Sequence, residues 1–156
     1  MIQHARGDIL AADVEALVNA VNTVGVMGKG LALQFKRAYP DMFDSYRDAA
    51  RRGELSPGRM HVWPTRADGN PRYIINFPTK RHWRSASRLA DIETGLASLV
   101  ETVVGLGVSS LAIPPLGCGH GGLDWGRVRP LIEEALAALP GVTAVLYLPA
   151  DDAPHG

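Results

Sequence analysis

The sequence predicts a layered α/β fold whose sheet is largely parallel. Two patterns carry the prediction. Short apolar runs alternate with stretches of helical periodicity along the chain, the order that packs helices onto a parallel sheet. Two middle runs, 60–63 and 73–77, follow one another with no helical stretch between them, which calls for some antiparallel pairing.

The elements follow in order. Strands are expected over 2–4, 17–20, 60–63, 73–77, 111–114 and 144–148, each flanked by Gly, Pro, Asp or Asn. One helix is expected over 31–38 and another over 41–52, ended by Gly53. A third, over about 88–106, places Ile92, Leu96, Leu99, Val100, Val103 and Leu106 on one face before Gly107. A fourth, over about 125–139, has Asp124 as a candidate N-cap and closes at Pro140-Gly141. No internal repeat or linker interrupts residues 1–150, which read as one domain, and 151–156 read as a frayed tail or an artificial end.

Composition narrows the function classes. A chain of 156 residues, 46% hydrophobic and 21% charged, is long enough for a full core. No apolar run approaches the roughly 20 residues that span a bilayer, and the first residues lack an apolar signal region. A cytoplasmic protein without membrane contact is expected, and nothing demands more than a monomer. The single cysteine, Cys118, excludes an internal disulfide and a multi-cysteine zinc site. No carboxylate and histidine cluster has ligand spacing, so no metal is expected. A net charge of zero argues against a general polyanion binder. Between 72 and 88, however, Arg72, Lys80, Arg81, Arg84 and Arg88 occur with His82 and no acid, a local basic patch.

Two glycine-rich loops carry the strongest functional signal. In Val18-Asn19-Ala20-Val21-Asn22-Thr23-Val24-Gly25-Val26-Met27-Gly28-Lys29-Gly30, two asparagines stand where an apolar run gives way to glycines and a helix start. Buried amides need partners, and glycines let the backbone approach a ligand. The arrangement suits a polar, phosphate-bearing ligand at a helix N-terminus; an ordinary strand-to-helix turn is the alternative. Neither the Walker nor the dinucleotide glycine spacing fits. The second loop, Pro114-Pro115-Leu116-Gly117-Cys118-Gly119-His120-Gly121-Gly122, follows another strand, where open α/β sheets bind ligands. Cys118 reads as a small residue tucked under the loop or, with His120, as a nucleophile. Asp8, in Gly7-Asp8-Ile9, reads as a helix cap or an acceptor for an adenine amino group. Lys80 follows a strand in Pro78-Thr79-Lys80-Arg81-His82-Trp83-Arg84. Beside a pocket such a lysine can lose its charge and act as a nucleophile. Its cations interleaved with one Trp suit phosphates and a stacked base, or else form a basic loop leading into a helix.

Taken together, Gly7-Asp8-Ile9, Val18-Asn19-Ala20-Val21-Asn22, Gly28-Lys29-Gly30-Leu31-Ala32 and Ile113-Pro114-Pro115-Leu116-Gly117-Cys118-Gly119 resemble the macrodomain, the ADP-ribose-binding module, over almost the whole chain. The resemblance implies a three-layer α/β/α fold with a mixed, mostly parallel six-stranded sheet. It implies that Asp8 and Ile9 take the adenine, with Tyr147 and Leu148 near its face. Asn22 would hold the distal ribose, and Asn19 would support the loop. Gly28, Lys29 and Gly30, with Leu116, Gly117, Cys118, Gly119, His120 and Gly121, would wrap the pyrophosphate and distal ribose.

Within the family, Asn22, Lys29 and Phe77-Pro78-Thr79-Lys80 look most like the lysine-dependent ADP-ribosyl glycohydrolases. The likeness is greatest to the DarG-type antitoxin macrodomains, which remove ADP-ribose from thymidine in DNA. Lys80 and Asn22 would then be catalytic, and Arg81, His82, Trp83, Arg84 and Arg88 would contact ADP-ribosylated DNA. ADP-ribose would be product and ligand, with no cofactor. A cognate ADP-ribosyltransferase toxin would bind through a region outside these residues. Related enzymes cleaving glutamate esters of ADP-ribose pair the lysine with an aspartate after Gly-Cys-Gly, where this chain has His120-Gly121. An esterase-like macrodomain acting on such esters or on O-acetyl-ADP-ribose, or a non-catalytic ADP-ribose reader, are the alternatives.

Overall fold

The computed structural model describes residues 1–150; the tail expected over 151–156 lies outside the described residues. Six strands, β1 (Ile2–Ala5), β2 (Ala16–Asn22), β3 (His61–Pro64), β4 (Tyr73–Lys80), β5 (Ser110–Ile113) and β6 (Thr143–Tyr147), form one sheet in the order β1-β6-β5-β2-β4-β3. Every neighbouring pair is parallel except β3 with β4. The antiparallel pair is the one expected from the missing helix. Five parallel strands therefore end at the same edge of the sheet, and both glycine loops leave from it.

Side-chain alternation along the strands splits the core into two layers. Ala16 and Val18 of β2, with Ile75 and Phe77 of β4, pack under α3 (Leu89–Leu106) and α4 (Trp125–Ala137) through Ile92, Leu96, Leu99, Val128 and Ile132. Leu17, Val21 and Ile74 face α1 (Gly30–Ala38) and α2 (Pro40–Arg51) through Phe35, Met42, Phe43 and Tyr46. Asp124 caps α4 by accepting from Gly126 N at 3.2 Å, as expected. Element boundaries depart from expectation by a few residues, and two departures bear on the site.

β2 runs through both asparagines instead of ending at residue 20. Asn is a poor strand former, but here Asn19 pairs with Asn76 across the ladder and Asn22 with Lys80. β4 likewise continues through Pro78 to Lys80, so Lys80 closes the strand and does not follow it. β3 pairs with β4 only as far as Asn76. Pro78 therefore lies in a stretch paired on one side, where a residue without an N–H is tolerated. A 3-10 turn over Ile9–Ala11, not anticipated, follows Asp8.

α3 seats on β4 at Gly95, where an added methyl would collide with the ring of Phe77. Phe77 is fully buried, three residues before Lys80. Gly95→Ala should therefore destabilise the fold by about 1–3 kcal/mol through overpacking, against the gain in helix propensity of up to about 1 kcal/mol. Urea unfolding of the two proteins measures the difference.

Candidate ADP-ribose site

A cavity of about 440 Å³ opens at the carboxyl edge of the sheet, over the ends of β2, β4 and β5. Its lining comes from three chain segments. The β2 loop contributes Asn22, Val26, Gly28 and Lys29; the end of β4 contributes Thr79, Lys80 and Trp83; and the β5 loop contributes Pro114, Gly117, Gly119, His120 and Gly121.

Asn22 organises the first segment. Its Oδ1 accepts from Val24 N at 3.1 Å and Val26 N at 3.4 Å, and its Nδ2 donates to Val26 O at 2.8 Å. The buried Tyr46 hydroxyl lies 2.7 Å from the Asn22 carbonyl and 2.8 Å from its Oδ1. Burial raises the Tyr46 phenol far above its ordinary value, so it stays a donor. Asn22 thus clasps the loop as well as facing the cavity. Asn19, fully buried, reaches the same loop from below: its Nδ2 is 3.9 Å from Met27 Sδ and donates to Asn76 Oδ1 at 3.1 Å. Tyr46 and Asn76 were not anticipated. Only the Asn19–Asn76 cross-strand pair, visible once a parallel register is assumed, could have pointed to them.

The Asn76 amide extends this scaffold to His61 on β3. Its Nδ2 lies 3.0 Å from His61 Nδ1, while His61 Nε2 meets Ser45 Oγ at 3.2 Å. With Asn76 Oδ1 occupied by Asn19, His61 Nδ1 must be the acceptor, which places the ring proton on Nε2. Burial lowers the His61 pKa from 6.5; Glu54 opposes the shift and Arg52 adds to it.

α1 begins at Gly30, and Lys29 at its N-cap makes no side-chain capping bond. The donors of the first helical turn therefore face the cavity without a side-chain acceptor, an anion-binding arrangement. Across from it, the β5 loop is tightly folded. Gly117 adopts a φ of +74°, and a Cβ at Gly121 would strike Gly117 O and Ser87 Oγ. Ser87 N donates to Gly121 O at 2.9 Å, which ties this loop to the segment after β4. Leu116 is fully buried beneath the loop. Cys118 is half-buried, with Sγ 3.5 Å from Leu116 O. Burial, with Asp124 adding, raises its thiol to about 11, which favours the reading of a packed residue over a nucleophile.

Lys80 is half-buried, and burial lowers its pKa from the ordinary 10.5. Its Nζ donates to Trp83 O at 3.1 Å. Arg81, His82, Trp83, Arg84 and Arg88 are all exposed. Arg72 does not join them: it precedes β4 at the opposite edge of the sheet, roughly 25 Å away at 3.3 Å per strand residue. The basic patch is therefore narrower than the run of charges in the sequence.

Asp8, Ile9, Tyr147 and Leu148 do not line the cavity. They stand farther along the same edge, after β1 and at the end of β6. Asp8 Oδ1 accepts from Leu10 N at 3.0 Å, so it caps the 3-10 turn. Burial first, then the Asp8 carboxylate, raises the Tyr147 phenol. A ligand touching both groups must run along the edge from β1 to β4. No group of three or more His, Cys, Asp or Glu side chains among the described residues is placed to hold a metal. No described helix is long and apolar enough to cross a membrane.

Comparison with known proteins agrees with this geometry. The family model described as Macro domain matches residues 18–132. A Mycobacterium tuberculosis protein named DNA ADP-ribosyl glycohydrolase is 54% identical over 149 residues, covering 96% of this chain and 42% of the relative. The chain thus spans about two fifths of the length of the curated DNA ADP-ribosyl glycohydrolases it matches. The solved macrodomain of Mycobacterium tuberculosis DarG superposes with a TM-score of 0.95 at 53% identity, covering 96% of this chain and 99% of that one. Thermosipho africanus DarTG in complex with ADP-ribose superposes at 0.89 with 37% identity, covering 97% of this chain and 43% of that one.

The His61 contact makes a pH prediction. A histidine whose folded pKa lies below its unfolded value binds more protons when unfolded, so stability is complete above about pH 6.5 and falls as pH drops towards the folded value. His61→Gln should remove that part of the slope, read as the difference in urea midpoint between about pH 8 and about pH 5. Equal slopes in both proteins would show that His61 is not the group responsible.

Proposed function

The chain belongs to the Macro domain family, and we propose that it is an ADP-ribosyl glycohydrolase that releases ADP-ribose from thymidine of single-stranded DNA. The observation that carries the reading is Lys80, half-buried in the cavity wall opposite Asn22, its ammonium destabilised by burial. The 54% identity to the Mycobacterium tuberculosis DNA ADP-ribosyl glycohydrolase over nearly all of this chain supports the substrate class. The Thermosipho africanus relative, a DNA ADP-ribosyl transferase-DNA ADP-ribosyl glycohydrolase fusion protein, supports an antitoxin role opposite a DNA ADP-ribosyltransferase toxin.

ADP-ribose lies along the carboxyl edge of the sheet. Its adenine is at Asp8, Ile9, Tyr147 and Leu148, and its pyrophosphate is between the first turn of α1 and the loop from Leu116 to Gly121. Its distal ribose lies between Asn22 and Lys80. Backbone donors and the helix N-terminus neutralise the two phosphates without an ion. Lys80 Nζ acts at the anomeric carbon. As neutral amine it forms a C–N bond at that carbon while the bond to the base breaks and the base takes a proton from solvent; water then adds at the same carbon and releases ADP-ribose and the amine. As ammonium it stabilises the departing base while water adds at the anomeric carbon and passes its proton to the base. Arg81, Arg84 and Arg88 take the DNA backbone, and His120 closes the β5 loop against Gly30, whose added Cβ would lie 3.4 Å from His120 Nε2.

Lys80→Ala should abolish release of ADP-ribose from an ADP-ribosylated single-stranded oligonucleotide while free ADP-ribose still binds. Loss of ADP-ribose binding would make Lys80 a binding residue. The pH–rate profile separates its two roles. A nucleophilic amine gives a rate that rises with pH through a pKa below 10.5, and an ammonium gives one that falls. Release from ADP-ribosylated glutamate protein alone would establish the esterase alternative.

A further inference from the structure

Few large apolar side chains are exposed among the described residues, and two of them line the cavity, with a third on the loop that carries one of the two. Val24, Val26 and Trp83 are 46%, 38% and 37% exposed. Val26 and Trp83 line the cavity, beside Asn22 and Lys80; Val24 lies on the same clasped loop, its N–H bonded to Asn22 Oδ1. Arg81 O accepts from Thr23 N at 3.1 Å and from Thr23 Oγ1 at 2.9 Å. The two segments carrying these side chains are therefore joined where they meet the cavity.

The Trp83 ring is not a loose surface side chain. His82 stacks on it at 5.1 Å with 29° between the planes, and the Arg84 guanidinium lies 4.4 Å from its centre. Its carbonyl holds Lys80 Nζ. Farther along, Ser87 N fastens the segment to Gly121. A ring fixed at both ends of its segment, beside the reactive amine, is a preorganised wall.

Exposed apolar surface of this kind marks a contact site, and its neighbours indicate the occupant. Arg81 and Arg84 flank it, and no acid occurs between 72 and 88. A group with apolar faces joined to phosphates satisfies both features. A carboxylate side chain would leave Val26 and the ring uncovered. We infer that Val26 and Trp83 form the subsite for the nucleobase joined to the distal ribose, and so select a base as leaving group. The inference rests on the glycohydrolase reading above. Arg81 and Arg84 take the adjoining phosphates.

The test uses steady-state release of ADP-ribose from an ADP-ribosylated single-stranded oligonucleotide, with free ADP-ribose binding measured in parallel. Trp83→Ala removes the ring and keeps the carbonyl that accepts from Lys80. KM should rise about 5- to 150-fold, the range for loss of one base–aromatic contact, with kcat largely kept and free ADP-ribose affinity unchanged. Trp83→Phe should recover most of the loss. Should Trp83→Ala fail to fold, Val26→Ser carries the test, with KM expected to rise in the same way. Unchanged KM in a folded variant, or an equal loss of free ADP-ribose affinity, overturns the subsite. If the wild-type protein releases nothing from the oligonucleotide, the glycohydrolase reading falls and the subsite with it. Turnover by the wild type with unaffected variants overturns the subsite alone.

Discussion

Parallel pairing of β2 with β4 sets the position of everything else at the site. Residue by residue, the ladder matches Leu17 with Ile74, Asn19 with Asn76 and Val21 with Pro78, then skips Thr79 and matches Asn22 with Lys80. Without the skip, Asn22 would stand opposite Thr79, and in a sheet of period two a one-residue slip turns a side chain to the other face. The extra residue is accommodated because Thr79 is buried and its Oγ1 donates to Val21 O at 3.4 Å. A clasping amide and a destabilised amine thereby share one cavity at the carboxyl edge.

Burial is divided unevenly across that cavity. Beneath it, Asn19, Asn76 and Tyr46 are withdrawn from water: Asn19 donates to Asn76, Asn76 meets His61, and Tyr46 donates to Asn22. These buried hydrogen bonds rigidify their surroundings, with Asn19 Oδ1 the one amide atom of the group left without a partner. Above it, the segment from Arg81 to Ser85 is exposed, fastened to Thr23 through the Arg81 carbonyl and to Lys80 through that of Trp83. Lys80 sits on the boundary. It is dry enough for its charged form to be disfavoured and near enough to the surface to meet a large substrate. In the proposed reading, the rigid floor fixes ADP-ribose and the exposed rim meets whatever is attached to it.

The sequence disclosed the layers, the antiparallel pair and the two glycine loops because each rests on local patterning. Alternation, helical periodicity and turn residues act within a dozen residues. Lys80 was legible through its place after an apolar run. Tyr46, Asn76 and His61 were not, since their roles depend on a register between distant segments, and Tyr46 reads locally as one more apolar position of α2. The basic run from 72 to 88 misled in one respect. A strand of eight residues separates Arg72 from Lys80, and charge counted along a chain ignores the length of the strand between. Asp8 and Tyr147 were legible as a pair only through the family resemblance, although the order β1-β6 makes their strands neighbours.

Three lysines, Lys29, Lys36 and Lys80, occur in the chain, so the central claim, that the Lys80 amine faces the anomeric carbon of the distal ribose, has a direct measurement. Incubation with ADP-ribose and cyanoborohydride, followed by peptide mapping, reports which amine condenses with the opened ribose and is reduced in place. The account predicts an adduct on Lys80 and none on Lys29 or Lys36. Modification of Lys29 with Lys80 untouched would place the distal ribose at the wrong end of the cavity and contradict it.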